Sequence, residues 1–154
     1  NIESGDTITL GSTGSVKVNV LDSSGFTVSG LDSNDSVAIS VDDLLSADAT
    51  GSASGVAALA SVSASSAFDG KIFVGSDFND KAAVVSAFDS FNDGSQSVGA
   101  IKTLLVDSDS GQVWYVSNST PADGVTDAEV QLIGVLAPAA GGTLTAANIT
   151  VDHS

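Results

Sequence analysis

The stretch that decides the fold class runs Thr7-Ile-Thr-Leu10, Gly11 to Gly14, Val16-Lys-Val-Asn-Val20, Asp22-Ser-Ser-Gly25, Phe26-Thr-Val28, Asp32-Ser-Asn-Asp35 and Val37-Ala-Ile-Ser-Val41. Apolar and polar residues alternate within each short run, which is the period of a strand with one buried face. Between the runs stand Gly, Ser, Asp and Asn, residues whose backbone freedom or short polar side chains suit turns. Four short strands at this spacing point to neighbours in an antiparallel sheet or at the edge of a sandwich.

Working outward, Lys71-Ile-Phe-Val74 reads as a buried strand, and Gly55 to Val62 fits a short helix or a small-residue strand equally well. The clearest helix is Asn79 to Phe91, capped by Asp77 or Asn79, with Ala82, Val85, Phe88 and either Ala87 or Phe91 on one face. Asn92-Asp93-Gly94 ends it. Ile101 to Val106 and Gln112 to Val116 flank Asp107-Ser-Asp-Ser-Gly111, a loop sized for a hairpin. A further strand lies within Val125 to Leu136, and the chain closes on Gly141 to Val151. No internal repeat of fixed period is evident, and no linker divides the chain. The expectation is one mainly β domain over residues 1–154, an antiparallel β-sandwich with one or two short α-helices.

Composition removes several functions. The chain has 154 residues and 4 Lys and Arg against 19 acids, a net charge of -15. The cations are the scattered Lys17, Lys71, Lys81 and Lys102, so no basic patch exists to neutralise phosphates, which argues against nucleic acid as a partner. Anionic membrane surfaces would repel such a chain, and no apolar run is long enough to insert as a helix. Yet 42% of residues are apolar and mean hydropathy is +0.29, so the acidity belongs to a folded domain rather than a disordered tail. Without Cys there is no disulfide, thiolate nucleophile or thiolate metal site. The only His, His153, stands next to the end of the sequence, so a Ser-His-Asp triad or His-ligated zinc has no basis. The lack of any Met, even at position 1, is expected of a trimmed mature form.

All the acids but Glu3 and Glu129 are Asp, and many sit beside Ser, Gly or Asn. Short carboxylates serve as turn residues, and they also suit Ca²⁺, which takes several oxygens from a flexible loop. An acidic, Cys-free, β-rich domain fits an extracellular bacterial setting.

Three segments carry a family resemblance: Leu104-Leu-Val-Asp-Ser-Asp-Ser-Gly-Gln-Val-Trp-Tyr115, Glu129-Val-Gln-Leu-Ile-Gly-Val-Leu136 and Leu144-Thr-Ala-Ala-Asn-Ile149. Together they resemble the C-terminal segments of repeats-in-toxin (RTX) type secreted bacterial surface proteins, over about residues 101–151. The Gly-Gly-x-Gly-x-Asp calcium repeats of that family are absent, so its best-known metal sites do not carry over. Val116 and Ser117 also follow Tyr115 where the family often has an acid. The resemblance implies export in one step and surface-layer, adhesin or matrix roles.

The best metal candidate is Asp107-x-Asp109-x-Gly111, where alternating Asp before a Gly permits a tight loop with inward carboxylates. It needs further ligands, and Asp123, Asp127 and Glu129 are the nearest acids in sequence, giving a candidate Ca²⁺ set. The alternative is a plain hairpin turn. Asp77-Phe-Asn-Asp80 reads better as a helix cap, and Asp42-Asp43 as the start of a turn or helix. Paired carboxylates serve glycoside hydrolysis, but here they arise by chance, and Trp114 and Tyr115 are the sole Trp and Tyr available as sugar platforms. With no nucleophile–base constellation, no enzymatic activity is expected. Lys17, Asn148 and Glu129 form the residue set of an intramolecular isopeptide bond, against the plainer reading of surface Lys and turn Asn. Asn34, Asn118 and Asn148 match the N-glycosylation pattern, silent in a bacterial protein.

These readings converge on a secreted, self-assembling structural protein: a filament, surface layer or biofilm matrix whose partner is itself. Thr7, Ile8, Thr9 and Leu10 form a candidate assembly strand, free to leave its own sheet and complete a neighbour's. Ca²⁺ would offset repulsion between acidic faces. The alternative is a Ca²⁺-dependent secretion or adhesion module of a larger RTX-type adhesin or toxin, also non-enzymatic.

Overall fold

The computed structural model describes residues 5–11, 15–19, 25–40, 56–58, 71–76, 78–89, 101–119 and 125–152. Their elements are strands β1 (Thr7–Thr9), β2 (Ser15–Asn19), β3 (Phe26–Leu31), β4 (Ser36–Ser40), β5 (Val56–Ala58) and β6 (Lys71–Gly75). Helix α1 (Lys81–Asp89) follows, then β7 (Ile101–Asp107), β8 (Gln112–Asn118), β9 (Val130–Pro138) and β10 (Ile149–Asp152). Short 3-10 turns at Asp127–Glu129 and Ala146–Asn148 lead into β9 and β10. The protein is mainly β, as the alternating pattern requires.

Two sheets form, one in the order β1-β3-β9-β8-β7-β6-β5 and one in the order β10-β4-β2. The antiparallel expectation fails. Only β7–β8 and β8–β9 are antiparallel, while β1–β3, β3–β9, β5–β6, β6–β7, β2–β4 and β4–β10 are parallel. The physical reason lies in the connections. Strands β1 and β2, and β3 and β4, stand as close in sequence as hairpin partners, but the members of each pair lie in different sheets instead of side by side.

This crossing produces a repeat. Strands β1 and β2, β3 and β4, and β9 and β10 are three rungs of a two-sided stack, each sheet keeping the order first, second, third rung. Ile8 aligns with Val28 and Val28 with Leu136 in the larger sheet; Val16 aligns with Val37 and Val37 with Ile149 in the smaller. The first two rungs are offset by 20 residues (27 − 7) in one sheet and 21 (36 − 15) in the other. The rungs recur in the fold, while the sequence keeps no fixed period across them. Residues 41–129 intervene before the third rung, and only the alternation of apolar positions is shared.

The rungs enclose the main core. Val28, Leu31, Val37, Ile39 and Leu136 are at most 1% exposed and share it with Leu144 and Ile149. Ile72 and Val74 of β6 and Leu104 and Val106 of β7 join the same cluster. The alternate residues of the larger sheet face a second core: Phe73, Leu105, Trp114, Val116 and Val130 pack with Phe78, Val125 and Val84 of α1. The helix starts at Lys81 rather than Asn79 and is capped by Asp80, whose Oδ1 accepts from the Ala83 N–H at 2.7 Å. Val84 is buried, and Val85 and Ala87 of the expected face pack against the same core, whereas Ala82 is exposed; the side chains of Phe88 and Phe91 lie outside the description. Asp77, Asn92 to Gly94 and Asp42-Asp43 lie outside the described residues, as does the 55–62 segment apart from β5.

Two glycines are required by close approach. A Cβ on Gly134 would fall 2.4 Å from the Phe26 ring that lies across it, and Phe26 is Gly134's register partner in β3. Gly111 combines φ +73 with a site where a Cβ would meet the Leu136 carbonyl oxygen at 2.0 Å. Gly111→Ala is expected to destabilise by about 2 kcal/mol or more, since strain and a backbone clash add. Gly141→Ala, at φ +78 in open space, carries only the strain of about 1 kcal/mol. Urea midpoints of the two variants check this ordering.

Candidate functional site

The loop 108–111 between β7 and β8 is built on the Asp107 carboxylate, which is fully buried. Oδ1 accepts from the N–H of Asp109 at 3.2 Å and from the N–H and hydroxyl of Ser110 at 2.7 and 2.8 Å. Oδ2 accepts from the Phe78 N–H at 3.0 Å. The Phe78 carbonyl in turn accepts from the Trp114 indole N–H at 2.7 Å. Asp107 thus ties its own turn to the segment entering α1, and its lone pairs face donors of the chain. Asp109, in contrast, is exposed.

Asp127 and Glu129 belong to another turn. Glu129 Oε2 accepts from both the N–H and the hydroxyl of Thr126 at 2.8 Å, closing the entry to β9. The Asp127 carbonyl accepts from Lys81 Nζ at 3.1 Å, linking this turn to α1. Strand register separates the two pairs of acids. Gln112, next to the hairpin loop, aligns with Val135, whereas Val116 aligns with Val130, next to Glu129. The acids therefore lie toward opposite ends of β8, separated by roughly 13 Å at strand rise. Asp107 with Asp109, and Asp127 with Glu129, are brought together as pairs, but the four do not converge; Asp123 lies outside the described residues. No group of three or more His, Cys, Asp or Glu side chains converges among the described residues.

The same turn device recurs three times. Asp32 N–H donates to Asp35 Oδ2 at 2.9 Å, and Thr145 N–H donates to Asn148 Oδ1 at 2.9 Å, matching Thr126 and Glu129. Each turn follows a buried apolar residue (Leu31, Val125, Leu144) and feeds a strand. Reciprocal bonding of this kind satisfies the donors that a tight turn leaves over. In the last of the three, buried Asn148 also donates from Nδ2 to the Asp32 and Asp35 carbonyls at 2.8 and 3.0 Å, joining third rung to second.

That role separates Asn148 from Lys17. Lys17 aligns with Ala38, and Ala38 with Thr150, so β4 stands between β2 and β10 and holds them about 9–10 Å apart. The isopeptide set is not assembled. Asn118 and Asn148 are buried, which also leaves two of the glycosylation matches inaccessible in the folded chain. Trp114 is buried in the second core and Tyr115 packs half-buried against the first, so neither is a sugar platform.

The assembly-strand residues are seated in the chain's own sheet. Thr7, Ile8 and Thr9 pair with Thr27, Val28 and Ser29; the Leu10 N–H donates to the Ser29 carbonyl at 2.9 Å. Among the described strands, β1 and β2 are the edges of their sheets at the same end of the stack. Ile8 and Leu10 are only partly buried, whereas Val28, Leu31 and Leu136 in the later rungs are closed off. The opposite end differs, because β5, the far edge of the larger sheet, lies against β10 and the turn before it. Sequence reading placed a strand at Thr7 to Leu10, but not its parallel pairing with β3.

Compared with protein-family models, curated proteins and solved structures, the chain has no match.

Asp107→Asn turns an amide N–H₂ toward a backbone donor on one side, so a loss of about 1.5–3 kcal/mol is expected, with altered Trp114 fluorescence. Asp109→Asn should stay within about 0.5 kcal/mol. Asn148→Asp keeps the Thr145 bond but sets a carboxylate against two carbonyl oxygens; a loss of about 2 kcal/mol or more is expected. Chemical denaturation of the three variants measures each.

Proposed function

We propose that this chain is a non-enzymatic structural protein of the cell exterior that associates with copies of itself, joining through its N-terminal rung into a surface layer, filament or biofilm matrix. The observation that carries this reading is the unequal closure of the stack. Where β1 and β2 form the edges, Ile8 and Leu10 leave the core half-covered, while the opposite end has β5 lying against β10. An edge strand beside a half-covered core favours strand addition.

Strand exchange is one form this joining takes. Strand β1 is short, lies at an edge and pairs with β3 alone among the described strands. Moving it from its own β3 to a neighbour's exchanges like bonds for like bonds, so little free energy separates the two states. Composition supports an extracellular, non-catalytic role, and so does the resemblance of residues 101–151 to C-terminal segments of RTX-type proteins. Ca²⁺ belongs to this reading as a bridge between acidic faces of copies, because protomers at -15 repel each other. A second reading, a secretion or adhesion module of a larger RTX-type protein, is favoured by the rung offset of 20 to 21 residues, which further rungs would continue.

Removal of residues 1–11 is expected to abolish assembly seen by negative-stain electron microscopy while leaving a folded chain. Assemblies formed in millimolar Ca²⁺ should disperse in EDTA. Assembly without residues 1–11 overturns the N-terminal joining surface, and indifference to EDTA removes the bridging cation.

A further inference from the structure

We infer that the three rungs open and close as one unit against residues 71–118, with residues 130–152 as the clasp that holds rungs one and two in place. The first two rungs, made earlier in the chain, stay unformed until the third one docks.

The middle of the chain carries its own ties. Strand β6 pairs with β7 and β7 with β8, and the Ser108 N–H donates to the Gly75 carbonyl at 2.7 Å. Asp107 and Trp114 both bond the backbone of Phe78. The second core belongs largely to this unit: of its buried residues, only Val125 and Val130 lie outside residues 71–118. Contacts this local form without waiting for distant parts of the chain.

The first two rungs are placed differently. Strands β1 with β3 and β2 with β4 are two-stranded pairs, which are marginal in water alone. A third strand is added when β9 joins β3 and β10 joins β4. Strand β9 fills the place between β3 and β8, so the larger sheet is continuous only through it. The third rung also grips the second outside the ladders. The Ala139 N–H donates to the Leu31 carbonyl at 2.7 Å, and Asn148 Nδ2 donates to the Asp32 and Asp35 carbonyls at 2.8 and 3.0 Å. Release of β9 and β10 therefore strips β3 and β4 of a neighbour in both sheets at once.

Opening also divides the main core. Val28, Val37, Leu136 and Ile149 of the rungs leave Ile72, Leu104 and Val106 of the middle, whose apolar face is then wet. Closure buries that face again, which supplies its driving force. In synthesis from the N-terminus, residues 130–152 follow every other described element. A chain whose third rung is still held by a ribosome or a channel therefore keeps rungs one and two open.

Native-state hydrogen exchange of the full chain tests this. The bonded amides of β3, β4, β9 and β10 are expected to share one opening equilibrium, reached at lower urea than that of β6 and β7. Two variants separate the units. Val84→Ala thins the second core, which the open state keeps. It should speed exchange in β6 and β7 by roughly tenfold or more and leave β3, β4, β9 and β10 within about twofold. Ile149→Ala weakens the closed state alone, so it should speed all six strands by a common factor of roughly 30 or more. Equal acceleration of rungs and middle by Val84→Ala means one-step unfolding and overturns the two units. Acceleration of β9 and β10 without β3 and β4 in Ile149→Ala overturns the clasp. Should a variant fail to fold, the unmodified chain decides: coincident opening of rungs and middle along the urea series overturns the inference.

Discussion

The parallel pairing of β3 with β9 is the contact on which the rest of the structure depends. It joins residues 26–31 to residues 130–138 across a long excursion of the chain, and through it the third rung is stacked on the second. Its geometry is demanding at two points. Phe26 lies over Gly134 because no other residue leaves room for its ring, and the strand bulges between Ser29 and Leu31, where Gly30 takes φ +81. Closing so long a loop before any contact is gained is entropically costly, so this register has to be favoured by burial on both sides of the pair. Val28 and Leu136, partners in it and both fully buried, supply that burial.

Asp performs two kinds of work in this protein. Asp107, Asp35 and Asp80 organise the backbone: the first knots the hairpin to the entry of α1, the second closes a turn between sheets, and the third caps the helix. An aspartate so engaged is a scaffold part, and its carboxylate is oriented by donors of its own chain. Exposed residues such as Asp109 and Asp127 contribute to the field of the surface instead. The motif that makes Asp107-Ser-Asp-Ser-Gly111 resemble a metal loop is the same one that makes a tight turn, because both need short carboxylates bent inward by a Gly. Distinguishing them requires knowing which donors lie nearby, and Phe78 comes from a distant part of the chain.

Strand locations were legible, and so was the hairpin of β7 and β8, because alternation and turn chemistry are local. Glu129 and the Thr145 to Asn148 stretch fell within segments of the resemblance, but nothing marked them as turns; the structure shows Thr126–Glu129 and Thr145–Asn148 as i to i+3 locks that feed strands. What misled was partner choice. A short polar stretch after an alternating run reads as a hairpin, yet β1 and β2, and β3 and β4, lie in different sheets, and β1 pairs in parallel with β3, twenty residues on. Of the helix face read from the sequence, Val85 and Ala87 pack against the core of Trp114 and Phe78, while Ala82 is exposed and Val84 is the buried residue.

By itself the sequence determined that the chain is acidic, mainly β, free of thiol chemistry and without a basic surface, since charge and periodicity are properties of residues and their immediate neighbours. It also placed a strand near the N-terminus. Only the tertiary structure decided that this strand pairs in parallel with β3 at the edge of the described sheet, that β5 lies against β10, and that Asp107 and Asp109 lie toward one end of β8 and Asp127 and Glu129 toward the other. Those facts depend on which strand pairs with which and in what direction, and side-chain alternation is the same for a parallel and an antiparallel partner.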